Sequence, residues 1–105
     1  FRGILSTIYI DLKKGVKKNR VNALLQKFFK YKKFVKVAKP DTLLSTNDVI
    51  NTNNCIISVC NSKYQKKLII LSVIDNLIKG GSGQAVQNMN IYYNFKEDEG
   101  LNGKI

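Results

Sequence analysis

Two apolar runs in the second half of the chain restrict its fold more than any other feature. CIISVC (Cys55–Cys60) and KLIILSVI (Lys67–Ile74) are rich in β-branched residues and are joined through the polar stretch Asn61–Lys66. Runs of this length bounded by turn residues predict two strands of a hairpin, and both are far too short to cross a membrane as helices. A further strand is predicted at Ile4–Leu12, where Ile4, Ile8, Ile10 and Leu12 occupy even positions and mark one half-buried face.

Between these strands the periodicity changes. Val21, Leu24, Leu25, Phe28 and Phe29 recur at helical spacing and predict one apolar stripe on a helix spanning about Lys17–Lys32. The Phe28/Phe29 pair is assigned to the core. Phe34, Val35 and Val37 predict a short strand that Pro40 stops, and Asp41–Asn54 is loop-like. A last helix is predicted from near Ser82 to about Asn94, followed by the loose acidic tail KEDEGLNGKI. The order strand, helix, strand, strand, strand, helix, with antiparallel pairing and helices packed on the sheet, is an α+β layer.

Charge limits the partners. Among 105 residues, 18 Lys and Arg face 7 Asp and Glu, a formal charge of +11, and no acid occurs between Leu12 and Pro40. Such a balance suits a polyanion. The lysines are scattered over a helix and two strands instead of forming one block, which favours a solvated surface over a nucleic-acid partner. Cys55 and Cys60 are separated by an odd number of residues in one predicted strand, so they point to opposite faces and no disulfide joins them. The expected compartment is the reducing cytoplasm. The chain opens on Phe1 with no visible targeting signal, which suggests a processed or truncated chain.

The stretch IDNLIKGGSGQAVQNMN (Ile74–Asn90) has the outline of strand, glycine turn and helix. Only the first two glycines of a dinucleotide fingerprint are present in GSGQAV (Gly81–Val86); Val86 stands where a small residue is needed, and no second strand with a ribose-binding acid follows. A G-x-x-x-x-G-K-S/T loop is also lacking. An autonomous nucleotide domain is therefore excluded. The narrower expectation is that Ser82 caps a helix whose first N–H groups, at Gly83, Gln84 and Ala85, suit an anionic or amide-bearing ligand. The alternative is glycine packing alone.

The same stretch resembles the C-terminal signature of the N-acetyl-gamma-glutamyl-phosphate reductase family, within the semialdehyde dehydrogenase superfamily. The pattern D-N-L-x-K-G-x-x-x-Q-A-x-Q-x-x-N is matched by Asp75, Asn76, Leu77, Lys79, Gly80, Gln84, Ala85, Gln87 and Asn90. RGILSTIY at the start and NTNNCIISV at Asn51–Val59 resemble two further family strands in the same order. The resemblance implies roughly the C-terminal third of a two-domain enzyme, judged by domain-size expectations. Residues 1–74 would belong to the substrate and dimerisation domain. Residues 75–105 would form a turn, helix and tail returning to an NADP-binding domain absent from this chain.

It further implies a reaction: a cysteine thiolate attacks N-acetyl-glutamyl phosphate, phosphate leaves, and NADPH reduces the thioester to the semialdehyde of arginine biosynthesis. The nucleophile, histidine and Rossmann motifs lie outside these residues, so no catalytic residue and no metal ligand is expected here. Cys55 and Cys60 are assigned to packing. The resemblance implies cofactor contacts at Gln84, with Gly80, Gly81, Ser82 and Gly83, and secondarily Asn76 and Lys79. Arg2 is expected either to face the substrate's anionic groups or to form an ion pair within the fold. A homo-oligomer, dimer or tetramer, is implied, with no membrane partner. Two alternatives remain: a stand-alone basic module binding nucleic acid, and a non-catalytic dimerisation subunit.

Overall fold

A computed structural model describes residues 1–101; the end of the predicted acidic tail lies outside the described residues. The chain runs β1 (Ile4–Asp11), α1 (Lys18–Phe29), β2 (Val35–Val37), β3 (Cys55–Asn61), β4 (Lys67–Ile74) and α2 (Gly83–Tyr92). A short 3-10 turn lies at Thr46–Asp48, and a wide turn with π-type bonding at Ile78–Ser82 leads into α2.

The four strands form one sheet in the order β1-β4-β3-β2. β3 and β4 pair antiparallel as the predicted hairpin, with Ser58 opposite Leu71 and Ile56 opposite Val73, and β1 pairs antiparallel along the whole of β4. The α+β class stands, but the sheet is mixed: β2 runs parallel to β3, Val35 beside Cys55 and Val37 beside Ile57. The physical reason is the connection. Parallel neighbours need a long crossover, and the Ala38–Asn54 stretch supplies one. It first follows β3 through Ala38 N–H to Ile57 O (2.8 Å) and Asp41 N–H to Val59 O (3.0 Å). It then turns through a capping box in which Ser45 N–H donates to Asp48 Oδ2 at 2.7 Å.

That crossover also makes the core. Leu44 and Val49 from it close over Cys60, Leu71 and Val73, with Ala38, Ile56 and Ile69 at the margin. The opposite face carries Val59, which is fully buried, and α1 packs against β2 and β3.

Two expectations are corrected. The predicted half-buried face of the first strand holds only at its far end: Ile10 and Leu12 are half-buried, but Ile4 and Ile8, like Leu5 and Tyr9 on the other face, are substantially exposed, because β1 is the sheet edge and pairs only with β4. The α1 stripe is split as well. Val21, Leu25 and Phe29 are half-buried, but Leu24 is 65% and Phe28 71% exposed, so Phe28 is not core. The buried residue of this helix is Asn22. Cys55 and Cys60 do point apart and are free thiols; Cys60 is buried, with Sγ 3.8 Å from Thr42 O, and Cys55 Sγ lies 3.4 Å from Ser72 Oγ.

Candidate functional site

Where β4 ends, Asp75 replaces the apolar pattern of the strand, and a dense polar cluster forms around it. The Asp75 carboxylate is completely buried. Its Oδ2 accepts hydrogen bonds from Arg2 Nε (2.9 Å), Arg2 Nη2 (2.5 Å) and the Asn51 N–H (2.8 Å). Its Oδ1 accepts from the N–H groups of Leu77 (2.9 Å) and Ile78 (3.2 Å), and its carbonyl accepts from Gly80 N–H (3.0 Å). Burial by itself would raise the carboxyl pKa, but the Arg2 guanidinium and the three backbone N–H donors outweigh it and hold the value at about 2.

Arg2 is thus the cationic partner of an ion pair within the fold, and its Nη2 also donates to Asn51 Oδ1 at 2.7 Å. Asn76 Oδ1 accepts from the Gly3 N–H at 2.6 Å. Gly3 has φ +107, and an added Cβ would come within 2.6 Å of Thr46, so only glycine lets the N-terminal segment settle here.

The glycine turn follows. Gly80, Gly81 and Ser82 are exposed in sequence, with half-buried Gln84 beside them, and Gln84 Nε2 donates to Asn88 Oδ1 at 2.8 Å. Ser82 does not cap α2. Its own φ and ψ (−60°, −41°) are already helical, and its Oγ donates backwards to Leu77 O at 3.0 Å. The Gly83 N–H is likewise taken up by Ile78 O, so the open N-terminus expected from sequence is replaced by a turn that runs into the helix. Gly83 is buried, and an added Cβ would strike Asn53 Oδ1 and lie 2.7 Å from Ile78 Cγ2.

Lys79 points inward. Its Nζ donates to Gln87 Oε1 at 2.7 Å and stands 5.5 Å above the Phe34 ring. Burial lowers its pKa, while Cys55 and Glu97 act in the opposite sense. Gln87 in turn accepts from Asn53 Nδ2 (3.0 Å) and donates to Glu97 (2.8 Å), and Asn90 Nδ2 donates to the carbonyls of Glu97 and Glu99. This second cluster ties α2 to the loop before β3 and to the segment after the helix. Residue-by-residue reading of the sequence missed the roles of Asp75, Asn51, Asn53 and Gln87. A signal existed: Asp75 is one of 7 acids in a chain of 18 cations, placed directly after an apolar strand.

At the other end of the sheet a cavity of about 390 Å³ is lined by Lys17, Lys18, Lys66 and Lys67, but Lys18 pairs with Asp41 and Lys67 with Asp11. Among the described residues no group of His, Cys, Asp and Glu could hold a metal ion, and no helix is long and apolar enough to cross a membrane.

The chain is 46% identical over 101 residues to an N-acetyl-gamma-glutamyl-phosphate reductase of Clostridium botulinum (strain Alaska E43 / Type E3), covering 96% of this chain and 29% of that protein. The corresponding reductase of Thermoanaerobacter pseudethanolicus is 47% identical over 100 residues, covering 95% of this chain and 29% of the relative. That of Acinetobacter baumannii (strain AYE) is 46% identical over 102 residues, covering 97% and 29%. The chain therefore spans 29% of the length of these curated relatives. Residues 1–76, which include all four strands, Arg2 and Asp75, match the model described as semialdehyde dehydrogenase, dimerisation domain. The chain belongs to that family.

Proposed function

We propose that this chain is the C-terminal portion of an N-acetyl-gamma-glutamyl-phosphate reductase, which reduces N-acetyl-glutamyl phosphate to the semialdehyde with NADPH and releases phosphate. The observation that carries the reading is collinear identity near 46% across 96% of the chain to reductases of that name. The residues described here contain no histidine and place both thiols in the sheet, so the chain's part is scaffold and cofactor support.

In this reading residues 1–74 build the dimerisation sheet, and the described residues from Asp75 onward pack on the nucleotide domain. The exposed run Gly80, Gly81 and Ser82 presents backbone to the nicotinamide end of NADPH, and Gln84 supplies an amide that can donate and accept together. Gly83 serves by its absence of a side chain. Asn76 and Lys79 act from behind the turn, through Gly3 and Gln87. Arg2 has its Nε and Nη2 on Asp75; a contact with the substrate's anionic groups would use the remaining edge of the guanidinium. The working form is a cytoplasmic homo-oligomer, a dimer or tetramer. The apolar residues left open on β1 are the surface that a second subunit would cover.

The test is an assay of the full-length protein containing this chain: N-acetyl-glutamyl phosphate should drive oxidation of NADPH with release of one phosphate per turnover. Gln84→Ala should raise the KM for NADPH about tenfold, the scale of one lost hydrogen bond to a buried ligand. Absence of acyl-phosphate-dependent NADPH oxidation in the folded protein would overturn the reading.

A further inference from the structure

We propose that Asp75, locked by Arg2, is a positioning residue for the cofactor: it sets the direction in which the chain leaves β4 and so places Gly80–Gly83 and Gln84. This inference rests on the reductase reading above. The two carboxylate oxygens divide their work. Oδ2 faces the N-terminal segment and the loop before β3, through Arg2 and Asn51 N–H. Oδ1 faces the turn, through Leu77 and Ile78 N–H. One side chain thus joins three separate segments, and Asn76 doubles the link through Gly3 N–H.

The turn's other bonds are mostly internal, Ser82 N–H and Oγ on Leu77 O and Gly83 N–H on Ile78 O, and outside the Asp75 carboxylate its links to the rest of the fold are Lys79 on Gln87 and the packing of Ile78 and Gly83. Ile78 is buried, but Gly80, Gly81 and Ser82 are exposed, and Gly81 departs from helical geometry at φ −147° and ψ −109°. A stretch such as Gly80–Ser82, with little side chain of its own to pack, has many alternative conformations. Hydrogen bonds to a charged acceptor are the stronger kind, and here two of them, with Gly80 N–H on the Asp75 carbonyl, select one conformation. Arg2 keeps that acceptor ionised and oriented. Displacement of a positioning group by about an ångström weakens ligand contacts well beyond the site of change.

Asp75→Asn in the full-length protein tests this. Asparagine keeps the shape, yet its amide NH₂ must face either the Arg2 fork or the turn N–H groups, donor against donor. The KM and the Kd for NADPH, the latter from cofactor fluorescence, should rise about tenfold while the KM for N-acetyl-glutamyl phosphate stays within about twofold. Arg2→Lys, which keeps the charge but loses the fork, should give a smaller shift in the same parameter. Asp75→Asn combined with Arg2→Gln should be no worse than Asp75→Asn alone, because the two act as one unit. If Asp75→Asn does not fold, Arg2→Lys carries the comparison through the NADPH Kd alone, since Arg2 is at the rim of the cluster. Folded variants with lower thermal midpoints but unchanged NADPH KM and Kd would overturn the inference and leave the reductase reading intact. A wild-type protein that binds no NADPH would overturn both.

Discussion

Asp75 shows how a single carboxylate can control a region of this molecule. Its pKa of about 2 lies below the 3.8 of a free aspartate, so the folded state prefers the ionised form. A depressed carboxyl contributes stability above its unfolded pKa and loses it as pH falls through the folded value. The contribution should therefore be complete at neutral pH and fade between about pH 5 and pH 2, with a total of about 2 kcal/mol. Thermal midpoints of the full-length protein measured down that range should fall more steeply for the wild type than for Asp75→Asn. At Gly83 a different force operates. Its missing Cβ would collide with Asn53 Oδ1 and crowd Ile78, so Gly83→Ala should lower stability by about 1–3 kcal/mol through overpacking. Denaturant midpoints would check this; Gly81→Ala, where an added Cβ meets only Asn76 O at 3.5 Å, is the comparison variant.

At the level of elements, α1 and β1 both carry more apolar surface than this sheet can cover. α1 keeps Leu25 and Phe29 partly inside but turns Leu24 and Phe28 outward. Phe28→Lys should change stability by less than about 0.5 kcal/mol, as surface substitutions do, whereas Leu71→Ala in the core should cost about 2–4 kcal/mol. Equal effects of the two, measured by urea unfolding, would show that Phe28 is covered by other polypeptide in the working protein. The hairpin was legible because β3 and β4 are continuous apolar runs with a polar connection, and β4 is found at Lys67–Ile74 as expected. The direction of β2 was not legible. Three residues of strand are too few to reveal pairing, and only the path of the crossover decides it.

The whole molecule is thin. Its extents are 44 × 32 × 18 Å and its radius of gyration is 15.1 Å, above the roughly 13 Å of a compact domain of this length. A sheet with one edge bare on both faces gives that shape. In the oligomer proposed here, β1 should be the vulnerable surface: Ile8→Asp should shift the full-length protein toward smaller species in sedimentation, because a charge on an apolar contact face is desolvated at high cost. An unchanged sedimentation profile would place the contact elsewhere.

Local order in this chain was written in the alternation of its residues. Strands, helices and the class of the fold follow from periodicity, because side-chain spacing repeats over a few neighbours and needs no distant partner. The family, too, was readable from a collinear motif. What the tertiary structure alone decided is which polar residues are buried and with whom. Arg2 and Asp75 lie 73 positions apart in the sequence, and Asn53 meets Gln87 across 34. Burial turns such pairs from ordinary surface residues into the clamps of the glycine turn, because a charge or amide removed from water must find its partner inside.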